Sequence, residues 1–186
     1  MTRRQIHLLI LVSAFTFLAT FTHAHASSNG AVNLLLGKKS LDSRESQPCL
    51  ALDLLWGQRG WPVLFNLYVS GAWDEYETPI YTTNTEANYE AGLGLAKIWN
   101  LGSLHPHASA GTGYMWRRIH SDEGETSERR RLNSSDVGLW VGTGTFWRSR
   151  WGLDLGVAVR FSGLATSGYS LGGTHVGITL GWGWPG

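Results

Sequence analysis

The sequence predicts an all-β fold, an eight-stranded antiparallel up-and-down transmembrane β-barrel. Three observations carry this. Apolar residues recur at period two rather than 3.6, so alternate side chains take opposite faces of extended strands. Glycines keep to the face opposite the large apolar residues. The connections alternate between tight and long, the pattern of barrels that cross a membrane.

The expected strands follow in order. Residues 31–39 form the first, with the weakest alternation. In 49–57, Leu50, Leu52, Leu54 and Trp56 oppose Cys49, Ala51, Asp53, Leu55 and Gly57. In 62–73, Val63, Phe65, Leu67 and Val69 oppose Leu64, Asn66, Tyr68 and Ser70. In 87–98, Tyr89, Ala91, Leu93 and Leu95 oppose Asn88, Glu90, Gly92, Gly94 and Ala96. In 105–117, Ala108, Ala110, Thr112, Tyr114 and Trp116 oppose His107, Ser109, Gly111, Gly113 and Met115. Residues 136–147 set Val137, Leu139, Val141 and Trp147 against Gly138, Trp140, Gly142, Gly144 and Phe146. Residues 151–161 set Trp151, Leu153, Leu155, Val157, Val159 and Phe161 against Gly152, Asp154, Gly156, Ala158 and Arg160. The last, 174–184, sets Val176, Ile178, Leu180, Trp182 and Trp184 against His175, Gly177, Thr179, Gly181 and Gly183. Between them, 58–61, 100–104 and 148–150 read as tight turns, whereas 40–48, 74–86, 118–135 and 162–173 read as long polar loops.

Eight strands enclose an interior only just wide enough for side chains to fill. Turning the Leu, Val, Ile and Trp series inward, as a soluble barrel would, overfills that space and leaves glycine stripes facing water. Turning the small and polar series inward fits the volume and presents the apolar series to hydrocarbon. Closure then pairs every backbone N–H and C=O, which an open edge in lipid would strand. Tryptophan placement agrees: Trp56, Trp61, Trp99, Trp147, Trp151, Trp182 and Trp184 lie at the tight-turn rim and Trp73 and Trp116 near the long-loop rim, as interfacial girdles do.

Residues 1–26 read as a cleaved leader preceding a barrel domain over 27–186. Arg3 and Arg4 form a basic start, an apolar run follows, and Ala24-His25-Ala26 is a small-x-small cleavage site. Beyond it no window holds the roughly 18 apolar residues of a helical span. The net charge of +1 gives no basic footprint for nucleic acid, and a single cysteine, Cys49, makes neither an internal disulfide nor a cysteine-based zinc site.

The spacing His175-x-Gly177-x-x-Leu180-x-Trp182 resembles the C-terminal signal by which bacterial outer-membrane barrels are handed to their assembly machinery, although the chain runs on to Trp184, Pro185 and Gly186. With Gly60-Trp61-Pro62-Val63, the stretch from Gly92 through Trp99, the stretch from His105 through Gly111, and residues 138–147 and 172–184, the chain resembles small eight-stranded outer-membrane proteins. That broad class includes OmpX and the transmembrane domain of OmpA, and the resemblance is closer still to a group of bacterial barrels with no characterised function. It implies a bacterial outer-membrane location, periplasmic short turns and extracellular long loops. Its implied partners are outer-membrane lipids, lipopolysaccharide and, during biogenesis, the barrel assembly machinery. It implies no reaction.

Inward parity selects Asp53, Asn66, Tyr68, Glu90, His107, Ser109, Asp154, Arg160 and His175 as an interior polar set. Charges inside such a wall must be paired. Asp53 and Asp154 are expected toward the turn rim, and Glu90, Arg160 and His175 are expected to cluster toward the loop rim. The longest loop carries an acidic run and then Arg129, Arg130 and Arg131, a candidate binding surface for phosphates or an extracellular ligand. Two alternatives stay open. A lipid A hydrolase would draw on Ser170 with His175, or His120 with Ser121, and a narrow channel would use the polar interior. His105-x-His107 points two imidazoles the same way but lacks a third ligand. A monomeric structural or surface-interaction protein is expected, with no catalysis, cofactor, metal or nucleic acid, and Cys49 is expected as an unpaired wall residue.

Overall fold

The computed structural model describes residues 28–40, 46–77, 83–122, 130–163 and 172–184. The strands are β1 (Ser28–Ser40), β2 (Gln47–Gln58), β3 (Leu64–Glu77), β4 (Thr83–Ile98), β5 (Leu104–Asp122), β6 (Arg130–Arg148), β7 (Leu153–Ser162) and β8 (Gly173–Trp184). Each pairs antiparallel with its sequence neighbours, and β8 returns to β1 to close an eight-stranded up-and-down barrel. The closing register runs from Gly30↔Trp184 to Ser40↔Thr174.

Every expected strand forms, but the tall side of the barrel departs from expectation. β3 and β4 remain paired up to Glu77↔Thr83, and β5 and β6 up to Ser121↔Arg130. Segments 74–86 and 118–135, expected as loops, are therefore mostly strand. The cause is physical. Once a hairpin rises above hydrocarbon its outer face meets water, so the period-two apolar signal vanishes while the backbone ladder continues. β5 and β6 each have 19 residues, about twice the 9–11 that a tilted strand needs to cross.

A second correction concerns Trp151, expected to begin β7. It stands in the turn, 82 % exposed, and β7 starts at Leu153. Gly152 separates them with φ +92°, a conformation that breaks the strand. Gly60 and Gly102 hold φ +86° and +75° in the other two tight turns, so each short connection depends on one left-handed glycine.

The two wall faces sort as parity requires. Leu67, Leu93, Val137, Val157 and Ile178 are exposed on the outside, while Tyr68, Met115, Trp140, Phe146 and Asp154 are buried within. In β6 this settles the orientation, with Trp140 and Phe146 inside and Val137, Leu139, Val141 and Trp147 outside. Large inner rings need bare backbone opposite. A Cβ on Gly94 would meet the Trp140 ring at 2.6 Å, and one on Gly92 would meet Trp140 Nε1 at 2.8 Å and collide with Tyr68.

Candidate functional site

The chemistry of the barrel lies in its lumen, where inward parity brings the charged residues together in successive layers. At the turn rim, Arg148 and Asp154 are register partners on β6 and β7. Their fork places Nε on Oδ1 and one terminal nitrogen on Oδ2, both at 2.7 Å, the bidentate geometry that makes Arg–carboxylate pairs strong. Arg148 also caps the Phe146 ring at 5.1 Å, and His105 stacks on the same ring at 5.3 Å.

Next, Arg160 on β7 reaches across the lumen to Asp53 on β2, at 2.5 Å. Its guanidinium lies 3.9 Å from the Tyr68 ring centre and 4.9 Å from that of Trp140, and those two rings meet edge-on at 5.0 Å. This corrects the expected grouping. Arg160 is the register neighbour of His175, as expected, but its carboxylate partner is Asp53 rather than Glu90. Parity says which side of the wall a residue takes. The sheared register around the barrel sets which residues face each other across it.

Glu90 is the hub of the next layer. Its Oε1 accepts from Lys39 Nζ at 2.5 Å and Ser162 Oγ at 2.9 Å, and its Oε2 accepts from the Tyr68 hydroxyl at 2.8 Å. His175 Nε2 lies 3.4 Å from Oε1. A carboxylate only accepts, so Nε2 carries the imidazole proton and Nδ1 is left to accept from the Cys49 thiol at 3.4 Å. Cys49 is a free, buried thiol, as expected of an unpaired wall residue, and it donates to His175. Both side chains of the Lys39–Glu90 pair are withdrawn from solvent, so each charge depends on the other.

Toward the loop rim, Glu86 pairs with Arg117 at 2.6 Å, and Asn88 donates to Gln47 at 2.9 Å and to Glu86 at 3.2 Å. Sequence reasoning misses Lys39, Gln47, Glu86, Arg117 and Arg148 because they sit at or beyond the ends of the expected segments. All five obey the parity of their strands: Lys39 and Arg117 are the last residues of the expected segments 31–39 and 105–117, and extending the other alternations by one or two residues reaches Gln47, Glu86 and Arg148.

The remaining candidates fall elsewhere. His107 lines the lumen and tilts against Phe146 at 5.7 Å, and among the described residues no three acidic, histidine or cysteine side chains converge as a metal site would need. His175 faces the lumen, His120 and Ser121 occupy consecutive positions at the upper end of β5, and Ser170 lies outside the described residues. Arg129 also lies outside them. Arg130 and Arg131 begin β6 in register with Ser121 and His120.

The outer surface is apolar between two aromatic zones. At the turn rim Trp56, Trp61, Trp99, Trp147, Trp151 and Trp182 are exposed. Trp56 and Trp61 meet edge-on at 6.3 Å, and Phe65 packs on both. Trp184 is half-buried, its ring lying over the bare Gly30. Toward the loop rim Trp73 is exposed, and Trp116 stacks on Tyr89 at 5.3 Å and lies 5.8 Å from Tyr114.

No family model matches the chain, and no curated protein matches it. Solved structures do. The chain is similar to a major outer membrane protein from Thermus thermophilus (TM-score 0.59, 14% identity, covering 86% of this chain and 99% of that one). It is also similar to Neisserial surface protein A (0.55, 14%, 86% and 97%). A third match is Ail, the attachment invasion locus protein of Yersinia pestis (0.54, 10%, 86% and 98%). At these identities the likeness is one of fold.

Proposed function

We propose that the protein is a non-catalytic barrel of the bacterial outer membrane, a plugged stem that holds extended hairpins above the cell surface for a structural or surface-interaction role. One observation carries this reading. Ion pairs occupy the lumen in succession from rim to rim: Arg148–Asp154 and Arg117–Glu86 join neighbouring strands toward the two ends, while Arg160–Asp53 and Lys39–Glu90 span the lumen between them, with the Tyr68, Trp140 and Phe146 rings packed alongside. A solute pathway would need the two spanning pairs broken, each at a cost of several kcal/mol.

The apolar belt and its aromatic rims support contact with outer-membrane lipids. Exposed Lys38 and Arg118, the latter two residues beyond Trp116, support contact with lipopolysaccharide phosphates. The basic run from Arg129 to Arg131 supports an extracellular ligand at the tallest hairpin. A cleaved leader over residues 1–26, handling by the barrel assembly machinery and a monomeric state complete the reading. Membrane fractionation with heat-dependent gel mobility and surface protease accessibility tests it. The expected result is an outer-membrane band whose mobility shifts on boiling and which is cut only in the hairpins. Recovery as a soluble periplasmic protein would overturn it. Steady single-channel conductance after reconstitution would replace it with the channel reading, and altered lipid A mass in expressing cells with the hydrolase.

A further inference from the structure

One internal cavity of about 20 Å³ lies in the lumen beside the Asp53–Arg160 pair, with Asn33, Asn66, His107 and Ser109 also in its wall. Four of these lining residues each carry a polar atom buried without a protein partner: Asn33 Oδ1, Asn66 Oδ1, His107 Nδ1 and Arg160 Nε. Such groups are costly in isolation and are normally satisfied, so four of them on residues that line one small space require an explanation. Asn33 and Asn66 are 7 % and 3 % exposed, which removes bulk solvent as the partner.

We propose that this cavity is a built hydration site, holding a single water in full tetrahedral coordination. The volume fits, since one water needs about 10–15 Å³ of such space and a site of this size does not hold a chain of them. The chemistry also balances. A water offers two protons and two lone pairs. The two amide oxygens take the protons, the Arg160 Nε–H fills one lone pair, and His107 Nδ1–H fills the other. Ions fit worse, because the two carbonyl oxygens repel an anion and the guanidinium repels a cation.

The atoms come from β1, β3, β5 and β7, alternate strands that no backbone ladder joins directly. The water therefore ties together four strands that do not pair with one another. The balance also assigns a tautomer. His107 carries its proton on Nδ1, the opposite of His175, whose contact with Glu90 requires it on Nε2.

Two measurements on the full-length barrel in detergent test this. Nitrogen-15 spectra recorded above the ordinary imidazole titration range are expected to show a δ-protonated His107 beside an ε-protonated His175. An ε-protonated His107 overturns the proposal. A crystal structure that shows ordered water elsewhere is expected to hold one peak within hydrogen-bond reach of both amide oxygens and Arg160 Nε. A cavity without density, or one that takes bromide from a soaked crystal, overturns it. In Asn66→Leu the peak is expected to vanish while the Asp53–Arg160 pair persists. Gly142→Ala, whose methyl would stand 2.9 Å from Ser109 Oγ and 3.6 Å from Arg160 Nε, is expected to displace the water without removing any of its partners.

Discussion

The inner and outer faces of the wall are built from the same strands by opposite rules. Outside, any apolar residue serves: Leu93, Val141, Val157 and Ile178 are interchangeable in kind, because hydrocarbon demands only the absence of charge. Inside, each residue is bound to a particular partner. Glu90 serves Lys39, Tyr68, Ser162 and His175, and Trp140 fits only because Gly92 and Gly94 lack side chains. The outside is thus specified by composition and the inside by geometry. Substitutions should therefore be tolerated by class outside and by identity within.

The largest effect is expected from Glu90→Leu, which strands the buried Lys39 ammonium. Unfolding in denaturant, followed by tryptophan fluorescence, should show a loss of about 3–5 kcal/mol. A loss below about 1 kcal/mol would mean that the pair is hydrated and the inner face no more specific than the outer. Next is Leu93→Arg, at the middle of the outer face of β4, expected to cost about 2–4 kcal/mol in a bilayer. A neutral result there would remove lipid from the outside of the wall. Gly94→Val, which drives a side chain into Trp140, is expected to cost about 1–3 kcal/mol by overpacking. Changing Leu93 to Val or Ile should cost less, a direct contrast between the two faces. The smallest effect is expected from deleting residues 123–129 and joining β5 to β6 by a short turn. The unfolding midpoint should move by about 0.5 kcal/mol or less, while binding of any extracellular ligand is lost.

The contrast between the faces also explains which parts of the molecule are legible in sequence. Period-two alternation is imposed by having lipid on one side and a narrow interior on the other, so it marks strands only where they cross the membrane. That is why 49–57 and 174–184 are recovered almost whole, while the upper parts of β4, β5 and β6 read as loop. The same loss of signal hides Glu86, Gln47 and Lys39, which face inward at heights where the outer face has turned polar.

Strand number, facing and the rim at which most interfacial tryptophans stand are written in the chain, because each follows from the local rule that alternate residues see alternate media; the β6–β7 turn is not, since Trp151 and Gly152 continue the alternation of β7. Nor are the partnerships inside the lumen. That Arg160 answers Asp53, that Lys39 and His175 converge on Glu90, and that Cys49 donates to His175 emerges only from the folded barrel. Those pairings join residues up to 126 positions apart, and they depend on the register accumulated around a closed ring. Closure adds that stagger once per strand pair, and no single strand contains it.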